Sequence, residues 1–280
     1  MHPILFADDS CFYYSHKDIH TLINSLNTDL SVIDKWLISN KLTLNKDKSH
    51  YVIFTRKSLP LATLDVKIND IRLERKSQTE FLGVTLQSKL SWNEHVKIVS
   101  NKISKYCSIL YQTRNLLTQS SLKLIYTSII YPSLIYCNVI WGKLPKYLNK
   151  KLEIQQKRVV RTIMYRQRFD HTNDDFINLK ILKINEINTY FSLLILFKSI
   201  NNISYPFDYY HFNTNNFYNL RRPLELRPRF CRSTKSQSSP AYYAAISWNN
   251  LPETIRTRPS VASFKSSLRV HLLSQYNDAE

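Results

Sequence analysis

Apolar and polar positions divide the chain into a strand-like opening and a helical remainder. Ile4-Leu5-Phe6-Ala7 and Cys11-Phe12-Tyr13-Tyr14 are short apolar runs on either side of Asp8-Asp9-Ser10, which predicts a tight hairpin with the acids at its bend. Ile19, Leu22, Ile23, Leu26, Leu30, Ile33 and Leu37 recur at helical spacing, so Lys17 to Ser39 reads as an amphipathic helix. Leu42-Thr43-Leu44 and Tyr51-Val52-Ile53-Phe54 read as short strands around the polar corner Asn45-Lys46-Asp47-Lys48. Val66-Lys67-Ile68 and Ile71-Arg72-Leu73 alternate about Asn69-Asp70 and predict a second hairpin. Glu80 to Leu86, with Gly83 inside it, reads as one more strand.

After Trp92 the period changes to that of helices. Val96, Val99, Ile103, Cys107 and Leu110 mark the buried face of one. Leu122 to Tyr131 predicts a second, which Pro132 should end or kink. Leu148 to Met164 predicts a third, with Leu152, Val159 and Ile163 inward and basic residues on its other faces. Further helices are expected over Asp174 to Leu182, Glu186 to Ile200, Ala241 to Asn250 and Ser260 to Leu273. Residues 201–240, rich in Asn, Arg and Ser and punctuated by four prolines, read as an extended polar connector. The pattern as a whole is α+β, and 43% hydrophobic residues suffice for a real core.

Composition narrows the chemistry. The only 2 glycines, Gly83 and Gly142, are too far apart to build a dinucleotide-binding Gly-rich turn, a P-loop or a nucleophile elbow. Cys11, Cys107, Cys137 and Cys231 form no C-x-x-C pair, so neither a zinc knuckle nor a disulfide framework is expected, and they read as reduced thiols of an intracellular protein, nuclear or cytoplasmic. No apolar run reaches the ~18 residues of a membrane span. A net charge of +18 favours a polyanionic partner.

Three groups of residues carry candidate chemistry. Asp8 and Asp9 are adjacent acids at a bend, and hard carboxylate oxygens suit Mg²⁺, although Asp favours turns for its own reasons. Lys48 stands in a Lys-rich corner. Basic side chains recur along the helices: Lys97, Lys102, Lys105 and Arg114, then Lys150, Lys151, Lys157, Arg158, Arg161, Arg166 and Arg168. Arg221, Arg222, Arg227, Arg229, Arg232 and Lys235 crowd the connector. Tyr165, Phe169, Phe217, Tyr218 and Phe230 lie among them, a mixture suited to phosphate contacts and base stacking. His16 and His20 lack the second cluster that a zinc site needs, and Thr172 reads as a helix N-cap ahead of Asp174-Asp175.

The order of these blocks resembles one family. Phe6-Ala7-Asp8-Asp9, then Leu44-Asn45 with Lys48, then Phe81-Leu82-Gly83-Val84 with Leu90-Ser91-Trp92 are similar to motifs C, D and E of the reverse transcriptases of non-LTR, Jockey-like retrotransposons. Tyr131-Pro132-Ser133-Leu134-Ile135-Tyr136, Trp141-Gly142 and Trp248-Asn249-Asn250-Leu251-Pro252 are similar to the region that follows. The resemblance implies two-metal polymerisation of DNA on an RNA template. Asp8 and Asp9 would bind Mg²⁺, Lys48 would approach nucleotide phosphates, and an RNA template and DNA primer would be the partners.

It also implies an architecture: a truncated palm of antiparallel strands plus helix over 1–90, thumb-like helices over 91–145, a basic helical region over 146–200, the connector, and C-terminal helices over 241–280. The family's upstream palm aspartate and fingers have no counterpart in these 280 residues, so the chain alone is expected not to polymerise DNA. The alternative function is a non-catalytic, basic nucleic-acid-binding protein derived from such an element.

Overall fold

The structure is a computed structural model that describes residues 2–7, 9–45, 47–55, 64–69, 71–201, 203, 225–226, 228 and 230–276. The described residues are mostly helical, with four small two-stranded sheets among them, and the chain divides into two units, Met1–Ser91 and Trp92–Glu280.

In the first unit, β1 (His2–Phe6) and β2 (Asp9–Tyr13) form an antiparallel hairpin in which Phe6 faces Asp9. The bend therefore comes one residue earlier than the sequence suggests. Ala7 takes a left-handed φ of 52°, and Asp9 already belongs to a strand. Helix α1 (Ile19–Ser39) begins at Asp18, whose carboxylate accepts from the Thr21 amide at 2.7 Å. Its buried Ile23 and Leu30 pack with Leu64, Val66 and Ile68 to form a small core. Asn27 fastens the helix to this layer. Its amide donates to the Asp65 carbonyl at 2.8 Å and accepts from the Lys67 amide at 3.0 Å, as a neighbouring strand would.

The short strands β3 (His50–Tyr51) and β6 (Glu74–Arg75) pair in parallel, while β4 (Lys67–Ile68) and β5 (Ile71–Arg72) pair antiparallel. Residues 42–44 and 52–54 are not strands, contrary to their alternation. Leu44 and Ile53 reach the core, but their backbones form no ladder. The run from Glu80 to Leu86 is not one strand either. It is a hairpin, β7 (Gln78–Phe81) and β8 (Val84–Gln87), turned by Leu82 and Gly83 at φ 47° and 74°. Two successive positive φ values match the twist of the strands, and glycine meets that demand without a Cβ clash.

The second unit is helical: α2 (Asn93–Thr113), α3 (Gln119–Ile125), α4 (Tyr131–Ile135), α5 (Asn138–Trp141), α6 (Lys146–Ile163), α7 (Asn173–Asn178), α8 (Ile184–Ile200), α9 (Thr234–Gln237), α10 (Pro240–Asn249), α11 (Glu253–Arg256) and α12 (Val261–Ser274). Helix α8 is apolar around most of its circumference and sits at the centre, against α4, α5, α6, α10 and α12. Phe197 stacks on Phe264 at 4.1 Å, with Trp248 beside both. Pro132 does not end its helix. A π-helical turn, Tyr126–Ile130, joins α3 to α4, and the Tyr131 amide reaches back five residues to the Tyr126 carbonyl. The wider turn lets the helical run pass a residue that lacks an N–H.

Helix α7 stops at Asn178, well short of Leu182. The Lys180 amide bonds the Ile177 carbonyl and the Ile181 amide bonds that of Phe176, both at 2.9 Å, with Lys180 at φ 54°. Those bonds define a Schellman motif. Helices α1 and α6 end the same way, with Lys41 and Tyr165 at the left-handed position. Scarce glycine is thus replaced by ordinary residues in strained backbone. Thr172 occupies the cap position of α7 without a side-chain cap bond and is buried.

Two substitutions test this account. Gly142 lies so close to Asn138 that an added Cβ would stand 2.5 Å from the Asn138 carbonyl oxygen, which already accepts from Gly142 and Asn188. Gly142→Ala is expected to destabilise by about 1–3 kcal/mol in denaturant unfolding. Lys180→Gly relieves a positive φ and is expected to stabilise by about 1 kcal/mol in the same measurement.

Candidate nucleic-acid interface

Helix α6 is built with two chemistries. Leu148, Leu152, Gln156, Val159, Val160 and Ile163 are buried. Lys150, Lys151, Ile154, Lys157, Arg158 and Arg161 recur at i+3, i+4 and i+7 on the opposite side, most of them exposed. Helix α2 lies alongside. The Tyr147 hydroxyl, one residue into α6, donates to Asn93 Oδ1 at the start of α2, 2.6 Å away. At the other end Tyr165, just past α6, shares its hydroxyl proton between the carbonyls of Arg114 (3.1 Å) and Leu117 (2.8 Å), just past α2. The two helices therefore run side by side in the same direction, and Arg158 comes close enough to α2 to act on the Cys107 thiol.

This geometry sorts the basic residues. Lys151 and Arg158 share a stripe, seven residues apart, on the flank toward α2. Lys150 and Lys157 are bridged by Glu153. Burial opposes ionisation of Glu153, but the Lys157 hydrogen bond and the two ammonium charges outweigh it and hold the carboxyl below its usual range. Lys97 pairs with Glu94 at 3.9 Å. Lys102 and Lys105 stand roughly 140–160° around α2 from Cys107, at 3.6 residues per turn, and so face away from α6.

The loop after α6 gathers the rest. The Arg161 guanidinium donates to the Asp170 carbonyl at 2.9 Å, folding residues 164–170 back on the helix end. Arg114 lies over the Tyr111 ring at 4.3 Å and Arg168 over Phe169 at 5.4 Å. Arg166 instead grips Asp175 through Nε and Nη2 at 3.1–3.3 Å. Asp175 is 1% exposed, so this acid of the first α7 turn is a buried anchor that helix-start statistics do not announce.

Sequence reasoning also missed a polar cluster. The Tyr276 hydroxyl accepts from the Lys183 amide at 2.8 Å and donates to Glu186 at 3.2 Å, while Lys183 Nζ lies 3.9 Å above the Tyr276 ring. Burial pushes the Glu186 carboxyl up, against the Tyr276 hydrogen bond and the Lys183 charge, and it pushes the Lys183 ammonium down. Lys183 and Glu186 are neighbours on the chain, but Tyr276 lies about ninety positions away, and the packing of α12 on α7 and α8 brings it to them.

In the first unit, Asp9 is exposed at the start of β2, and the hairpin contributes no side chain to the core among the described residues. Asp8 lies outside the described residues, as do Arg221, Arg222, Arg227 and Arg229. Lys48 is exposed, its amide donating to Asn45 Oδ1 at 3.1 Å. No three His, Cys, Asp or Glu side chains converge among the described residues, so those residues do not by themselves supply a Mg²⁺ cage. Nor is any helix among them long and apolar enough to cross a membrane.

A stretch of 161 residues, 56% of the chain, is 24% identical to the "Probable RNA-directed DNA polymerase from transposon BS" of Drosophila melanogaster, covering 18% of that protein. The chain is distantly similar to the reverse transcriptases of non-LTR retrotransposons. It is 26% identical over 194 residues to the "Probable RNA-directed DNA polymerase from transposon X-element" of the same organism (67% of this chain, 21% of that one). It is also 26% identical over 187 residues to the "RNA-directed DNA polymerase from mobile element jockey" (65% and 20%). The chain thus spans about a fifth of the length of the curated relatives it matches. No protein-family model matches it, and no solved structure does.

The buried cluster has a pH signature. A carboxyl raised by folding keeps its proton to higher pH in the folded than in the unfolded chain, so its contribution to stability is lost as pH rises through the folded pKa. Glu186→Gln keeps an acceptor for Tyr276 and removes that loss. The variant's stability relative to wild type is expected to rise as pH increases above the ordinary carboxylate range, read by thermal unfolding. A difference that does not change with pH would count against the assignment.

Proposed function

We propose that the chain holds an RNA template and a DNA primer as part of an RNA-directed DNA polymerase of the non-LTR retrotransposon type. The observation that carries this reading is the parallel α2/α6 pair. One rigid, solvent-facing surface about 30 Å long presents Lys151 and Arg158, with Lys150, Lys157 and Arg161 beside them, in a chain of net charge +18. The similarity to transposon polymerases, and the charge itself, support a nucleic acid as the polyanion.

On this reading residues 1–90 are a partial palm, 91–145 thumb-like helices and 146–200 a basic grip, in an intracellular setting. Asp8 and Asp9 are the acids that would ligate Mg²⁺, and Lys48 the amine that would face nucleotide phosphates. No catalytic step is assigned to the 280 residues alone. A second reading is a basic binding protein derived from such an element that does not catalyse, which the exposed basic side of α6 supports equally. Mg²⁺-dependent primer extension by the purified chain, abolished in Asp8→Ala, would exclude that second reading.

Binding to single-stranded RNA or DNA is expected to be sequence-tolerant and to weaken steeply between low and moderate salt, measured by fluorescence anisotropy. The double substitution Lys151→Ala/Arg158→Ala is expected to reduce the slope of log affinity against log salt by about 1.4, since each single-strand phosphate contact contributes about 0.7. Lys102→Ala/Lys105→Ala, on the far side of α2, is expected to change it less. Salt-independent affinity would end the proposal.

A further inference from the structure

We propose that the loops at the C-terminal ends of α2 and α6 form a stacking platform for unpaired bases, with Phe169 as its principal ring. This rests on the basic face holding nucleic acid, and it adds where bases, rather than phosphates, are gripped.

Two apolar side chains here are the most exposed large ones among the described residues of the helical unit. Phe169 is 86% exposed and Leu116 is 84% exposed, and Tyr111 and Tyr165 on the same two helix ends are exposed as well. Single exposed apolar residues are ordinary on protein surfaces; a group of them set among arginines is not. Tyr165 ties the two loops together through the Arg114 and Leu117 carbonyls, and its own ring is about half exposed. Arg161 clamps the far end of the Phe169 loop through the Asp170 carbonyl, and the Gln167 amide donates to the Asp170 carboxylate at 2.8 Å. The platform is therefore held in place although its rings are bare.

Its electrostatics match a single strand. Arg168 lies over the Phe169 ring and Arg114 over the Tyr111 ring, so each of these two rings carries a cation close by. An unpaired base offers a π-face to the ring while its phosphate meets the guanidinium; a duplex hides its base faces and offers only phosphates. Lys151 and Arg158, further down the same pair of helices, would then follow the backbone of the strand whose bases stack at the end. An anionic membrane surface could also accept exposed Phe and Leu among arginines. The ring–cation pairs favour the nucleic acid, and the test separates the two.

The experiment measures affinities of wild type, Phe169→Ala and Phe169→Trp for a single-stranded RNA, a single-stranded DNA, a hairpin duplex of the same charge and anionic vesicles. Phe169 is nearly bare, so its replacement should leave folding intact. Phe169→Ala is expected to weaken both single strands about tenfold, leave the duplex within about twofold and leave the salt slope unchanged. Phe169→Trp is expected to keep affinity, with its fluorescence quenched by stacked bases. The proposal is overturned if Phe169→Ala binds single strands like wild type, loses single strand and duplex equally, or loses only vesicle binding. If wild type binds neither nucleic acid, the reading of the basic face fails and the platform falls with it. If wild type binds both with steep salt dependence and Phe169→Ala is silent, the platform alone fails.

Discussion

The parallel contact between α2 and α6 is the constraint from which much of the helical unit follows. Two helices that lie side by side in the same direction need a return path between them, and here the path must cover about the length of α2. The continuous run from Gln119 to Ile135, through α3, the π turn and α4, supplies about 25 Å of it. An interior proline would kink a straight return helix, and the π turn ahead of Pro132 keeps this run continuous. Past it, Cys137 at φ 49° and the close approach of Gly142 to Asn138 turn the chain back toward the start of α6. Features that look unrelated in the sequence serve one geometric demand.

The same contact explains why the basic residues are not equivalent. Charge count alone places Lys102, Lys105, Lys151 and Arg158 in one class. Helix phase and the two tyrosine tethers divide them, because the flank that α2 turns toward α6 is not the one that carries its lysines. Local partners divide them again. Glu153 partly neutralises Lys150 and Lys157, and Asp175 pairs with Arg166, whose side chain stays about half exposed. Helix phase and local pairing thus sort the basic residues of α2 and α6 more finely than the net charge of +18 does.

Much of the helical layout was legible because its period is long and repeated. Ile19 through Leu37 and Leu148 through Ile163 mark their helices within a few residues of the observed ends. The short strands were less legible. Two or three alternating residues, as at Leu42-Thr43-Leu44, carry no information about whether a partner strand exists. The pattern places Gly83 inside a strand because one glycine says nothing of the positive φ that Leu82 also adopts. The candidate interface was visible as composition, but its orientation was not. The tethers Tyr147–Asn93 and Tyr165–Arg114 join residues about fifty positions apart, beyond the reach of any local pattern. The Lys183–Glu186–Tyr276 cluster lay further out of reach for the same reason.

Tyr165 sits where helix-ending chemistry and loop anchoring compete. A glycine there would relax the backbone, as Lys180→Gly would at the end of α7, but it would cut the hydroxyl link to the 114–117 segment and free both loops to drift apart. The unfavourable torsion is therefore a fee for rigidity: α6 ends in a hinge pin, and whatever rides on the neighbouring turn inherits its fixed orientation. Selection for an easier helix end and selection for a firm loop pull on this one position in opposite directions.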